Sequence, residues 1–80
     1  MSKYNLDRVA DNLNISLTAL QEIKYRLGIK KNMTEDEYKL ISKVVCEIRE
    51  YFGKVTTSLI YAYWLNYGDK WKNAWRTEDE

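Results

Sequence analysis

The chain contains no proline, and its three glycines lie at positions 28, 53 and 68. Each glycine follows a stretch whose apolar residues have helical spacing, where glycine commonly ends a helix in the left-handed conformation. Eighty residues provide enough chain for one domain with one core. The sequence therefore predicts a single all-α domain over residues 1–80, a compact bundle of four to five helices.

The first 28 residues contain two short helices with little chain between them. Asn5 and Ser16 each precede an apolar stripe and can act as helix N-caps, and Gly28 ends the second stripe. Two helices with so short a connection must cross steeply, which predicts a helix-turn-helix over residues 5–28. The predicted inward residues are Leu6, Val9, Ala10 and Leu13 on the first helix, and Leu17, Leu20, Ile23 and Leu27 on the second.

The rest of the chain predicts a bracing helix and an aromatic C-terminal segment. Thr34 and Glu37 form a capping box that starts a helix over residues 34–52. The segment 56–76 has an apolar stripe that continues through Gly68, so its helix either bends there or is followed by a new one capped by Asp69. The expected inward residues are Ile41, Val44, Val45, Ile48 and Phe52, followed by Ile60, Trp64, Tyr67 and Trp71.

The charge is distributed unevenly, although the formal net charge is only +1. Residues 1–32 hold six basic and three acidic side chains, a net of +3. The basic residues Lys24, Arg26, Lys30 and Lys31 lie in a stretch between Ile23 and Met33 that contains no acidic residue. This asymmetry suggests a polyanionic partner for the first half of the chain.

The side chains that most enzymes need are missing from the sequence. There is no histidine, so the usual general base and the commonest metal ligand are absent. Cys46 has no imidazole to activate it and is expected to be a buried structural thiol. The acidic run at residues 35–37 is explained by its position at a helix start. We expect no catalytic site, no metal site and no cofactor.

Hydropathy and cysteine content indicate the cellular compartment of the protein. The longest apolar run, residues 59–65, is far shorter than the roughly 20 residues that cross a bilayer. The first residues, MSKYNLDR, lack the apolar stretch of a secretory signal peptide. A single cysteine fits a reducing compartment. The sequence therefore predicts a cytoplasmic protein without a membrane partner.

The segment YNLDRVADNLNISLTALQEIKYRLGI resembles the first two helices of MerR-like and RacA-like winged helix-turn-helix domains, which include many phage excisionases. The resemblance lies in Leu6, Val9 and Ala10, in the turn that ends at Ser16, and in the ending at residues 27–29. It extends through residues 33–41 and covers roughly residues 4–45. Residues 29–33 are too few for the family's β-hairpin wing, so the wing is expected to be absent or vestigial.

The resemblance implies sequence-specific binding to double-stranded DNA by a phage or mobile-element transcriptional regulator or accessory factor, with the second helix in the major groove. The groove-facing residues would be Ser16, Leu17, Thr18, Gln21, Glu22 and Tyr25, and the phosphate contacts Lys24, Arg26, Lys30 and Lys31. Binding by one copy should be weak and salt-sensitive, so a dimer or a protein partner is expected.

The aromatic C-terminal segment allows more than one interpretation. Its helix is apolar on more than one face, which predicts a protein interface, most simply a homodimer. The interface candidates are Tyr61, Tyr63, Trp64, Tyr67, Trp71 and Trp75. The alternative function is a small helical module that binds and modulates another protein through its acidic and aromatic C-terminal half. A third possibility is stacking of these rings on unpaired bases.

Overall fold

A computed structural model describes residues 5–29 and 33–79 of the protein, with side chains described up to residue 68. Within this part of the chain the fold is all-α, with no strand. The four helices are α1 (Leu6–Leu13), α2 (Leu17–Leu27), α3 (Glu35–Phe52) and α4 (Thr57–Asp79). The predicted all-α class is confirmed. Because α4 runs through residue 69 without interruption, the alternative in which Asp69 caps a further helix is wrong.

Side-chain caps fix where the helices begin. The Asn5 side chain accepts from the Arg8 N–H at 3.0 Å, and the Ser16 hydroxyl accepts from the Ala19 N–H at 3.1 Å. Thr34 and Glu37 form the predicted capping box, at 3.2 and 2.8 Å. Each cap satisfies an N–H that has no partner within its own helix.

The connection between α1 and α2 consists of Asn14, Ile15 and Ser16. Asn14 ends α1 in the left-handed conformation, with φ 56° and ψ 48°. Asparagine tolerates this conformation better than other residues that carry a Cβ. The Ile15 N–H then donates to the Ala10 carbonyl at 3.0 Å, which closes the turn at the end of α1. This turn leaves only three residues between the end of α1 and the start of α2.

All four helices contribute to one hydrophobic core. Helix α4 packs on α2 as well as on α3, and α1 packs on α2 and α3. Among the described residues no charged or polar side chain is buried. The buried residues are Val9, Ala10, Ala19, Leu20, Ile23, Leu27, Ile29, Met33, Ile41, Val44, Val45, Ile48, Ile60 and Tyr63. The stripes predicted for α1 to α3 therefore face this core, except that Leu17 is 39% exposed.

The predictions for Cys46 and Tyr63 are also wrong. Cys46 is exposed on the outer face of α3, because Val44, Val45 and Ile48 already occupy the inward positions of that part of the helix. Tyr63, which was expected to lie off the inward stripe of α4, is only 2% exposed and belongs to the core.

Gly68 lies inside α4 and does not end a helix. A Cβ atom at this position would lie 2.2 Å from Cδ1 of the Trp64 indole, one turn earlier. Real Cβ atoms do not approach another heavy atom so closely. The glycine is therefore explained by the ring that lies across it, and the interpretation of this glycine as a helix end is wrong.

Candidate nucleic-acid interface

Helix α2 is buried on one face and exposed on the other. Ala19, Leu20 and Ile23 have no exposed surface and anchor the helix in the core. The opposite face carries a run of exposed side chains whose spacing follows the helix. These are Thr18, Gln21 and Tyr25, spaced i, i+3 and i+7, with Leu17 beside them; Tyr25 is 77% exposed. Ser16 is exposed at the N-cap, where its hydroxyl already accepts from the Ala19 N–H. The structure thus brings together, on one surface, four of the residues that the sequence predicted for DNA contact.

The C-terminal end of this face borders a shallow depression of about 370 Å³. Gln21, Lys24, Tyr25, Gly28 and Ile29 line it. Lys24 is half-buried, and Ile29 forms part of the apolar wall. The depression combines one cation, an amide and a phenol hydroxyl, which together can bind an anionic group with hydrogen-bond acceptors. The predicted phosphate contacts Lys30 and Lys31 follow directly along the chain but lie outside the described residues.

Arg26 is directed toward α4, away from this exposed face. Its Nε donates to the Glu22 carboxylate at 2.8 Å, an ion pair between successive turns of α2. Its guanidinium carbon lies 4.5 Å from the centre of the Tyr61 ring. Arg26 thus already has a carboxylate and an aromatic partner. The same ion pair neutralises Glu22, which the sequence predicted as groove-facing.

Arg49 of α3 contacts the α1–α2 connection, and the sequence analysis did not identify it. One of its terminal nitrogens donates to the Leu13 carbonyl at 2.6 Å and to the Asn14 carbonyl at 3.1 Å. Arg49 lies 35 residues further along the chain from Asn14. The only sequence feature that could have indicated this contact is the position of Arg49, a cation that flanks the inward stripe of α3.

The aromatic residues of α4 divide between the core and the surface. Tyr61 is 51% exposed, whereas Trp64 and Tyr67 are half-buried. Tyr63, predicted as an interface residue, is covered by the chain itself and is not available to a partner. Trp71 and Trp75 were also predicted at the interface, but they lie beyond residue 68, the last residue whose side chain is described.

A cluster of tyrosines joins the end of α3 to α4. The hydroxyls of Tyr51 and Tyr67 form a hydrogen bond, and their rings meet edge to face with centres 5.2 Å apart. This hydrogen bond is the main cause that raises the pKa of Tyr67, and burial is the second cause. The pKa of Tyr63 is raised well above its usual range. Burial is the main cause, and electrostatic repulsion from Glu47 and Tyr67 adds to it. Tyr63 and Tyr67 therefore stay neutral at physiological pH.

The described residues lack both the side-chain groups of a metal site and the long apolar helix of a membrane span. Among them, no three His, Cys, Asp or Glu side chains lie where they could jointly hold a metal ion. Of the helices in the described part of the chain, none combines the length and the apolar character needed to cross a membrane.

Comparison with known proteins gives no match: no protein-family model, no curated protein and no solved structure is similar to the chain.

Proposed function

We propose that this protein is a small sequence-specific double-stranded DNA-binding protein in which α2 is the recognition helix of a helix-turn-helix. Its setting would be that of a transcriptional regulator or accessory factor of a phage or mobile element, as the resemblance of residues 4–45 implies. The observation that carries the proposal is the exposed face of α2, which presents hydrogen-bonding and aromatic side chains along its whole length.

The dimensions and chemistry of this face suit a major groove. Eleven residues of helix extend about 16 Å, and a helix about 10–12 Å wide fits a groove about 12 Å wide. The Gln21 amide can pair with adenine N6 and N7, the Thr18 hydroxyl can donate or accept, and Leu17 can contact a thymine methyl. Nearer the C-terminal end, Tyr25 would face the groove and Lys24 would contact phosphate.

Electrostatics supports the same surface and predicts a modest affinity. Glu22 is paired with Arg26, so the charge that this end of α2 presents comes from Lys24 and from the basic residues that follow it. About three phosphate contacts give a slope near −2.7 in log affinity against log salt. Raising the salt fourfold should then weaken binding about 40-fold. Two copies, or a protein partner, would supply the affinity that one copy lacks.

The test is fluorescence anisotropy of a labelled random-sequence duplex, at about 50 and 200 mM salt. We expect salt-sensitive binding by the wild type, and a weaker affinity with a flatter salt slope for Lys24→Ala. Lys54→Ala is the matched control, because Lys54 is an exposed cation on the α3–α4 connection, outside α2. Arg26 is left intact, since its substitution would also remove the contact with Tyr61.

Two results would overturn the proposal: no binding by the wild type at low salt, or an equal loss for Lys24→Ala and Lys54→Ala. Selection of bound duplexes from a random library then tests sequence specificity. A recovered consensus is the expected outcome.

A protein partner is the second candidate function, and one observation favours it. Tyr61 and Leu65, one turn apart on the outer face of α4, are 51% and 72% exposed. Apolar side chains left so exposed are typical of surfaces that meet another protein. A second copy of the chain is the simplest partner, and a solution mass twice that of the monomer, lost in Leu65→Lys, would support it. An interaction module without DNA binding would instead leave the duplex unbound.

A further inference from the structure

Arg49 connects α3 to the point where α1 turns into α2. Its two hydrogen bonds end on the carbonyls of Leu13, the last residue of α1, and Asn14, the first residue of the connection. The last carbonyls of a helix have no partner within the helix and carry a partial negative charge. A guanidinium at this end therefore satisfies two acceptors and interacts favourably with the helix dipole.

Arg49 bonds to backbone carbonyls and not to a carboxylate among the described residues. The ion pairs among the described residues are Glu22 with Arg26 and Glu35 with Lys39, and Arg49 belongs to neither. Its hydrogen bonds in this part of the chain go to backbone carbonyls alone. Arg49 thus holds a segment of backbone, and the segment it holds is the α1–α2 connection.

The other hydrogen bonds of this connection are local: the Ile15 N–H donates to the Ala10 carbonyl and the Ser16 hydroxyl accepts from the Ala19 N–H, so neither ties the turn to α3. The connection has three residues, and the first is a left-handed asparagine that carries a Cβ. Leu13 and Ile15 are half-buried and pack against the core, but apolar packing is non-directional. Hydrogen bonds are directional, and they weaken steeply when their geometry is distorted. Arg49 is therefore the group that ties the angle of the connection to the position of α3.

We infer that Arg49 is a positioning residue that sets the orientation of the exposed face of α2. The inference rests on the proposed DNA-binding function. Tyr25 lies about 14 Å along the helix from Ser16, so a rotation of about 10° at the connection moves it by about 2 Å. Hydrogen bonds to base edges do not survive such a shift, whereas a flexible lysine can still reach a phosphate. Loss of Arg49 should reduce specificity more than non-specific affinity.

The experiment compares two affinities in each variant: for the consensus duplex selected by the wild type, and for a scrambled duplex of the same composition. Their ratio does not depend on the folded fraction, since unfolding lowers both affinities by the same factor. Arg49→Met keeps most of the apolar stem and removes the hydrogen bonds. We expect the ratio to fall about tenfold, the effect of losing one good base contact.

Arg49→Lys and Lys43→Met complete the set of variants. Arg49→Lys keeps the charge without the guanidinium fork and should lower the ratio by less than Arg49→Met does. Lys43→Met is the matched control, because Lys43 is an exposed cation on the same helix and should leave the ratio unchanged. If Arg49→Met does not fold, Arg49→Lys decides the question, with a reduced ratio expected.

The outcomes separate the inference from the function beneath it. If the wild type selects a consensus and the ratio is unchanged in the Arg49 variants, the inference is overturned and the proposed function stands. If both affinities fall equally, Arg49 acts on stability alone, which also overturns the inference. If the wild type binds no duplex, the proposed function fails and the inference fails with it.

Discussion

Helices α2 and α4 pack against each other, yet they are buried in different ways. Helix α2 buries small and aliphatic residues, and its exposed side chains begin sharply on the opposite face. Helix α4 buries Ile60 and Tyr63 and leaves Trp64 and Tyr67 partly exposed beside them. In both helices the inward face follows the helical period, since Ile60, Tyr63, Trp64 and Tyr67 are spaced i, i+3, i+4 and i+7, but in α4 this face is only partly covered.

The difference comes from the reach of the side chains. An aliphatic side chain is short, so it is buried only if its Cα–Cβ bond already points toward the core. An aromatic ring extends further and can be covered by other rings. The Tyr63 ring has Trp64 and Tyr67 as neighbours, with ring centres 5.6 and 5.4 Å away. Spacing therefore indicates which residues of α4 face the core, but not how fully each ring is covered.

The sharpest way to break this comparison is to truncate neighbouring tyrosines of α4. Tyr63→Ala should lower the free energy of unfolding by about 3–5 kcal/mol, because a fully buried ring leaves a cavity. Tyr61→Ala should cost about 1 kcal/mol, since Tyr61 is half exposed and contributes chiefly through Arg26. Urea unfolding followed by circular dichroism measures both values. Equal losses for the two variants would mean that α4 presents a different face to the core.

Gly68→Ala tests the contact between Trp64 and the α4 backbone. Alanine in a helix interior normally stabilises by up to about 1 kcal/mol relative to glycine. Here the new methyl would meet the indole, so we expect a loss of about 1–3 kcal/mol instead, as in other overpacked sites. The same unfolding assay gives the sign.

Trp64→Leu supplies the control for that prediction. With the indole removed, Gly68→Ala should recover the ordinary helix preference and stabilise the protein. A stabilising effect of Gly68→Ala already in the wild-type background would contradict the close approach of Trp64.

The sequence predicts most of the fold because the helix ends carry local chemistry. Asn5, Ser16 and Thr34 cap where they were expected to, and Gly28 and Gly53 end their helices in the left-handed conformation. Such signals lie within a few residues of one another, so they can be identified without knowing the tertiary structure. Gly68 has a different local reason, because the ring of Trp64, four residues earlier on the same helix, lies over it. The apolar stripe that continues through Gly68 is the sequence feature that separates it from the two glycines that end helices.

The candidate site is predictable only in part. Exposure of Thr18, Gln21 and Tyr25 follows from the helical period once Leu20 and Ile23 are placed in the core. The role of Arg49 depends on a contact across 35 residues, which the spacing of apolar residues does not encode. The orientation of Arg26 is set in the same way, by Tyr61 on a different helix. Contacts between helices decide which cations are free to bind and which are already engaged.

The smallest predicted effect is the direct coupling between the two helices. A double-mutant cycle with Arg26→Met and Tyr61→Leu should give a coupling of about 0.5–1 kcal/mol, typical of an arginine over an exposed ring. Leucine and methionine keep apolar bulk, so the cycle isolates the interaction of the charge with the ring.

A parallel cycle of Arg26→Met with Glu22→Gln should give about 0.3–0.5 kcal/mol, because that ion pair is local to α2 and partly exposed. If the Tyr61 cycle gave no coupling, Arg26 would be held by Glu22 alone and could turn toward phosphate at little cost. A clear coupling would instead assign Arg26 to the packing of α4 on α2. Among the described residues, Lys24 would then be the cation that lies beside the exposed face of α2.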